Sequence, residues 1–208
     1  MHDHSELTPL AEDPELSYYA RRTNAIEALL IEKGVLTAEE VRRSIDDMDS
    51  KSPAVGARVV AKAWVDRDFK TRLLTDARTA IAGVGLNVSS RSPSYELVAL
   101  ENTDTVHHAI VCTLCSCYPF TLLGRPPAWY KSVNYRARVV IDPRDVLREF
   151  GLVLAPEVEV RVHDSTADVR YLVIPKRPSG TESMSEEELA ALVTRDSMIG
   201  VAEARTPD

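Results

Sequence analysis

The apolar positions of the chain recur first at helical and then at strand spacing, and that change of period organises everything else in it. From Pro14 onward, Tyr18, Ala25, Ile26, Leu29 and Leu30 make much of one helical face, which predicts an amphipathic helix opened by Asp13 and closed by Gly34. Thr37 and Glu40 stand at capping-box spacing and predict a short helix near 38–48 with its acids toward the positive end. Ser52-Pro53 starts a longer helical run to about Ala82, although Gly56 weakens its first turn. Ala57, Val60, Ala61, Trp64 and Val65, then Phe69, Leu73, Leu74 and Ala77, give that run an apolar face across a bend near Asp66. Such a face fits either the chain's own core or another subunit. Gly83 and Gly85 end the run, and SSRSP at 89–93 reads as a loop. The GVG at 83–85 lacks the full glycine pattern of a dinucleotide loop and follows a helix instead of a strand.

From Tyr95 the period falls to two. Tyr95–Leu100 and Val106–Val111 are strand candidates separated by ENTDT, and residues 158–162 and 169–173 read as a strand pair around an HDSTAD turn. Between these pairs, Gly124-Arg125-Pro126-Pro127 is a stiff connection and Ala128–Val140 is helical in two pieces around Ser132. Asp142-Pro143 opens another short helix that Gly151 stops. Ser185 and Glu188 make a second capping box before LAALV, and the last residues are expected to fray. The pattern predicts an α+β fold: an N-terminal helical arm followed by a layered α/β sandwich-like domain with helices outside a two-layer sheet arrangement.

A chain of 208 residues supports one substantial core with an N-terminal extension, and 44% hydrophobic with 27% charged residues suits a globular domain. The formal charge of −7, without a basic patch interleaved with aromatics, argues against nucleic acid as a partner. No leading apolar segment and no long apolar run is present, so no membrane span and a reducing cytoplasm are expected. The cysteines are odd in number and crowded, unlike a disulfide framework. His2 and His4 have a spacing that suits a metal but read as solvent-exposed histidines of a ragged terminus.

All three cysteines lie in VCTLCSCYPF at 111–120, where Cys112, Cys115 and Cys117 form C-x-x-C-x-C. Tetrahedral zinc normally takes four ligands, or three and an open position, and iron–sulfur clusters usually take four cysteines. With three thiolates available, further donors must come from the loop, and the backbone nitrogens of the compact Cys115-Ser116-Cys117 segment are the nearest candidates. Thiolates with deprotonated amides favour a trivalent transition ion in an octahedral shell with one position left for water. The alternative is an inert buried cysteine turn. His107 and His108, adjacent on a strand, point to opposite faces and cannot both join one compact site. Thr113 is placed to tune or pack against the loop, and Tyr118, Phe120, Trp129 and Tyr130 read mainly as packing around it. Arg136 and Arg138 could meet loop carbonyls, carboxylates or a partner chain.

This loop, with LGRPPAWYKSVNYRARVV at 123–140, DPRDVLREFG at 142–151, VHDSTADVRYLVIPKRPSGT at 162–181 and SEEELAALVTRDSMIGVA at 185–202, closely resembles the alpha subunit of nitrile hydratase. It looks most like the cobalt form, in which threonine follows the first cysteine, as Thr113 does here; the iron form usually carries serine. The resemblance implies one non-corrin Co(3+) ion per alpha subunit, with Fe(3+) as the alternative, held by Cys112, Cys115, Ser116 and Cys117. Cys112 would be the axial thiolate, and Cys115 and Cys117 equatorial sulfurs beside the backbone nitrogens of Ser116 and Cys117. Cys115 would be oxidised to a sulfinate and Cys117 to a sulfenate, and Cys115, Ser116 and Cys117 would carry the catalytic roles. The implied reaction is hydration of a small nitrile to its amide, by a metal that polarises the nitrile or acidifies water, or by the sulfenate oxygen of Cys117.

The resemblance further implies a beta subunit, or two beta-like chains, whose arginines meet the sulfur oxygens, and a possible metal-delivery chaperone. Residues 1–13 would then be a flexible N-terminus, 14–83 a helical arm and subunit-packing segment, and 84–208 the metal-binding catalytic domain. His108, Phe120, Arg125 and Pro93 depart from residues common in relatives, and these departures bear on substrate range while leaving the cysteine pattern intact. Two other readings stay open: the gamma subunit of thiocyanate hydrolase, which resembles the same fold and cobalt loop, and a non-catalytic subunit stabilised by metal.

Overall fold

The computed structural model describes residues 17–86 and 95–207. The expected helix start near Pro14 and the loop at 89–93 lie outside the described residues, as do His2, His4 and Pro93. Two units emerge from the chain's internal contacts, residues 1–47 and 48–208. In the first, Ser17 caps α1 (Tyr18–Glu32) by accepting the Ala20 N–H, and Gly34 turns the chain at φ 65°. Thr37 and Glu40 form the predicted capping box at the head of α2 (Ala38–Ser50), the Thr37 hydroxyl accepting the Glu40 N–H at 3.1 Å and Glu40 accepting the Thr37 N–H at 2.8 Å. No residue of α1 or α2 is buried.

The second unit carries the core. Its helical run is three helices: α3 (Ala54–Val65), α4 (Arg67–Thr75) and α5 (Ala77–Gly83). Asp66 breaks the first from the second and caps the second by accepting the Phe69 N–H at 2.8 Å; Asp76 repeats the device ten residues on, taking the Thr79 N–H. Val59, Val60, Phe69, Leu73 and Ile81 are fully buried, so this run packs into the chain's own core, one of the two packings its apolar face allowed. Gly56 lets α3 approach its neighbours closely: a Cβ there would stand 2.7 Å from Met198 Sδ and 2.9 Å from Leu123 Cδ2.

Four six-residue strands follow the predicted positions: β1 (Glu96–Glu101), β2 (Val106–Val111), β3 (Glu159–Asp164) and β4 (Val169–Ile174). Their pairing differs from the expected hairpin. β3 and β4 do not pair with each other; β1 pairs with β4 and β2 with β3, both in parallel, with Val98 opposite Tyr171 and His108 opposite Arg161. The short connections at 102–105 and 165–168 therefore each carry the chain from one ladder to the other. Asn102 shows why: its side-chain oxygen accepts the His108 N–H at 2.8 Å and its amide meets His107 Nδ1 at 3.1 Å, fixing the corner between layers.

Between the strand pairs run α6 (Phe120–Leu123), α7 (Ala128–Lys131), α8 (Val133–Arg138), which Ser132 caps, and α9 (Pro143–Glu149), which Asp142 caps. α10 (Glu186–Leu192) opens on the Ser185–Glu188 capping box and packs on α3; α11 (Arg195–Ile199) follows. The expected fraying of the last residues is not seen. Val201 and Ala204 are buried, and the Arg205 N–H donates to the Leu192 carbonyl at 2.9 Å. Gly200 closes α11 at φ 88° with its missing Cβ position 1.9 Å from the His108 carbonyl oxygen, which only glycine permits. No helix among the described residues is long and apolar enough to cross a membrane.

Candidate metal centre

β2 delivers the chain into the cysteine loop. Its last five residues, His107 to Val111, are all buried, and Cys112 continues inward with 1% of its surface exposed. Cys115 is exposed and Cys117 intermediate, so the three sulfurs climb from the core toward the surface. Their Sγ atoms lie within 4.8 Å of one another, Cys112 to Cys115 at 3.4 Å and Cys115 to Cys117 at 3.3 Å. The Cys115 N–H donates to Cys112 Sγ at 3.2 Å, and the backbone N–H groups of Ser116 and Cys117 act on the Cys115 sulfur. A soft donor set that converges this closely, in a loop whose Ser116 and Cys117 N–H groups help lower the Cys115 thiol, fits a single transition-metal ion.

The electrostatics of the loop divide the sulfurs. Hydrogen bonds from Cys117 and then from Cys112 draw the Cys115 thiol down to about 7 from an ordinary 9.0, which favours a thiolate at the centre of the triad. Burial pushes the Cys117 thiol up to about 12, and the proton it lends to Cys115 adds to the rise, while the Arg170 charge pulls the other way.

Side chains from distant elements hold the loop in this shape. Asp164, at the end of β3, accepts the Thr113 N–H at 2.9 Å and the Thr113 hydroxyl at 2.6 Å. Arg136 on α8 donates to the Thr113 carbonyl at 3.3 Å, and Arg170 on β4 donates to the Tyr118 carbonyl at 2.9 Å. Tyr130 donates to the Cys117 carbonyl at 2.9 Å and Tyr135 to the Ile110 carbonyl at 2.7 Å. Burial raises the phenol pKa of both tyrosines, so both remain donors. These carbonyls are satisfied from outside the loop, and the Cys115 N–H is left to the Cys112 sulfur.

Of the residues singled out in the sequence, the structure gathers Cys112, Cys115, Ser116, Cys117 and Thr113 in one loop. Trp129 packs edge-on to Tyr130, Tyr135 and Phe150 beneath it, whereas Tyr130 adds the hydroxyl contact that packing alone did not anticipate. Arg136 does meet a loop carbonyl; Arg138 instead pairs with Glu149 and Asp145 on α9, away from the sulfurs. His107 and His108 stand on opposite faces of β2, and neither belongs to the sulfur cluster. Asp164 and Arg170 were missed, because a carboxylate 51 residues from Thr113 and a guanidinium 52 from Tyr118 leave no local signal.

The model of the nitrile hydratase alpha chain matches residues 17–202. The chain belongs to that family. It is 52% identical over 193 residues to the alpha subunit of the low-molecular-weight cobalt-containing nitrile hydratase of Rhodococcus rhodochrous, covering 90% of each chain. It is 44% identical over 202 residues to the gamma subunit of thiocyanate hydrolase from Thiobacillus thioparus, covering 93% of this chain and 82% of that one. Among solved structures, a double mutant of the iron-type nitrile hydratase of Comamonas testosteroni Ni1 superposes with a TM-score of 0.83 at 42% identity over 90% of each chain.

Proposed function

We propose that this nitrile hydratase alpha chain works in a heteromeric enzyme that hydrates a nitrile to its amide at cobalt(III), held by Cys112, Cys115 and Cys117 and by the backbone nitrogens of Ser116 and Cys117. The observation that carries the proposal is the convergence of three sulfurs within 4.8 Å, and the lowering of the Cys115 thiol by the Ser116 and Cys117 N–H groups supports it. Bound there, the trivalent ion supplies a Lewis acid that polarises a nitrile or acidifies water without a change of valence. The chain's own part is positional. Cys112 anchors the loop from the core, Asp164 fixes Thr113, and Tyr130 and Arg170 hold the carbonyls on either side of the Cys117–Tyr118 bond. Oxidised by dioxygen or peroxide, Cys115 as a sulfinate and Cys117 as a sulfenate would carry oxygens on the surface-facing part of the loop, where the Cys117 oxygen would serve as nucleophile toward the nitrile carbon or as base toward water.

Several features support a partner and an ion of this kind. Leu114, at the tip of the loop, is 88% exposed beside the exposed Cys115, an open face that a beta subunit or two beta-like chains would cover while supplying donors to the sulfur oxygens. A metal-delivery chaperone would load the ion before that face closes. Thr113 and the cobalt-containing relative favour cobalt; the match to an iron-type structure makes iron the competing ion. Thiocyanate hydrolysis is the second reading, favoured by the 44% identity to the gamma subunit of that enzyme.

Co-expression with the neighbouring beta-like gene, followed by metal analysis, intact mass and assays on a panel of nitriles and on thiocyanate, tests the proposal. Amide production with stoichiometric cobalt, and a mass gain matching one sulfinate and one sulfenate, is the expected result. Turnover of thiocyanate to ammonia without nitrile hydration would select the second reading, and zinc with unmodified cysteines would leave a metal-stabilised, non-catalytic subunit.

A further inference from the structure

The β2·β3 ladder carries a second convergence of metal-ligating atoms, four residues before Cys112. Its register sets His108 opposite Arg161 and Ile110 opposite His163, so these side chains share a face and the two imidazoles are diagonal neighbours across the ladder. His108 Nδ1 and His163 Nε2 are 2.8 Å apart, with ring centroids 5.0 Å apart and planes inclined by 46°. The other nitrogen of each ring makes no hydrogen bond among the described residues. His107 differs: its Nε2–H donates to the Gly200 carbonyl at 2.8 Å, which leaves Nδ1 to accept from Asn102 at 3.1 Å. Both of its nitrogens are committed to the fold, whereas His108 and His163 are each bonded through one nitrogen, and only to one another.

We propose that His108 and His163 form a bis-imidazole site for a borderline divalent cation of the Zn2+, Ni2+ or Cu2+ class, separate from the cysteine loop. Imidazole ligands at about 2.0–2.1 Å from a metal, about 90° apart, have their nitrogens roughly 3 Å from each other, close to the 2.8 Å observed, so turning each ring by roughly 40° converts the contact into chelation. The pair shares one proton at its junction. For both junction nitrogens to ligate, the ring carrying that proton shifts it to its own outer nitrogen, so the neutral pair binds an ion without net proton release. Burial favours the neutral rings that ligation needs, taking His108 down to about 4, with the His163 and Arg161 charges adding to the fall. The charged neighbours on this face, Glu159 and Arg161, are hydrogen-bonded to each other at 2.7 Å, so neither dominates the site. Tyr171 on β4 packs against His163 with ring centroids 5.2 Å apart. Two nitrogens with water in the remaining positions select zinc, nickel or copper over magnesium or calcium.

The site is independent of the cobalt proposal, and the experiment keeps the two apart. Full-length cobalt-loaded protein, purified with the chain it assembles with and carrying His2→Gln and His4→Gln, is titrated with ZnCl2 by calorimetry and then with CuCl2 by electron paramagnetic resonance. The expected result is one further equivalent of zinc per chain, with nitrogen hyperfine structure from two imidazoles in the copper spectrum. His108→Asn and His163→Gln should each abolish that equivalent while leaving the cobalt content unchanged. No binding beyond the cobalt, or binding that survives both substitutions, would overturn the assignment and leave the pair as a hydrogen bond between strands. If one variant fails to fold, the other and the wild-type copper spectrum still decide the matter.

Discussion

Cys117 brings both a sulfur and a main-chain nitrogen to the loop, whereas Thr113 brings a hydroxyl that Asp164 already holds. That difference ranks their substitutions. In fully cobalt-loaded enzyme, Cys117→Ala should lower kcat by more than about 100-fold, while Thr113→Ser, which keeps the hydroxyl, should stay within about tenfold. Equal rates would contradict the ranking. Gly200 makes a different kind of demand, since any side chain there meets the rigid His108 carbonyl at 1.9 Å in a backbone conformation with φ 88°. Gly200→Ala should therefore destabilise the fold by about 2 kcal/mol or more, read from denaturant unfolding. An unchanged midpoint would show that α11 and β2 are free to separate.

The helices start where their capping side chains say they should, and the caps make stability depend on acid. Asp66 is held below its ordinary 3.8 chiefly by the Phe69 N–H, Asp76 below 3.8 by the Thr79 hydroxyl and N–H, and Glu188 below 4.5 by the Ser185 N–H. Each is depressed in the folded state, so its contribution is complete above the unfolded-state value and fades as pH falls through the folded one. Asp66→Ala should lower the melting temperature at neutral pH, and the variant and wild-type curves should converge as pH drops below about 4. A constant gap at all pH values would remove the carboxylate from the account. Caps of this kind are legible in a sequence because donor and acceptor are three residues apart, as Thr37–Glu40 and Ser185–Glu188 were. The choice of strand partner is not: the alternation of β3 and β4 fits a hairpin and two parallel ladders equally, and only the Asn102 corner with its histidine contacts separates them. The short helices α6 and α11 were equally hidden, with four and five residues each and too few turns to set a period. The cysteine triad was visible because its residues are close in sequence, whereas the side chains that clamp its backbone come from α7, α8, β3 and β4 and only the fold brings them in.

At the scale of the molecule, the core belongs to residues 48–208, and the preceding unit leaves Tyr18, Tyr19, Ile26 and Leu29 exposed. The proposed subunit-packing role of the arm therefore falls on α1 and α2, since α3 to α5 are spent on the chain's own core. Deleting residues 1–47 should leave a cooperatively melting domain that no longer co-purifies with the beta-like chain; retention of the partner would move the interface elsewhere. The cysteine loop is built as part of that same core, with Cys112 buried and its neighbours open to the surface, which makes its ligand set the claim most directly open to measurement. Cobalt K-edge X-ray absorption of the assembled enzyme should resolve a shell of three sulfurs and two nitrogens, from Cys112, Cys115 and Cys117 and from the Ser116 and Cys117 amides. A shell of oxygens alone, or of sulfurs without nitrogen, would contradict it.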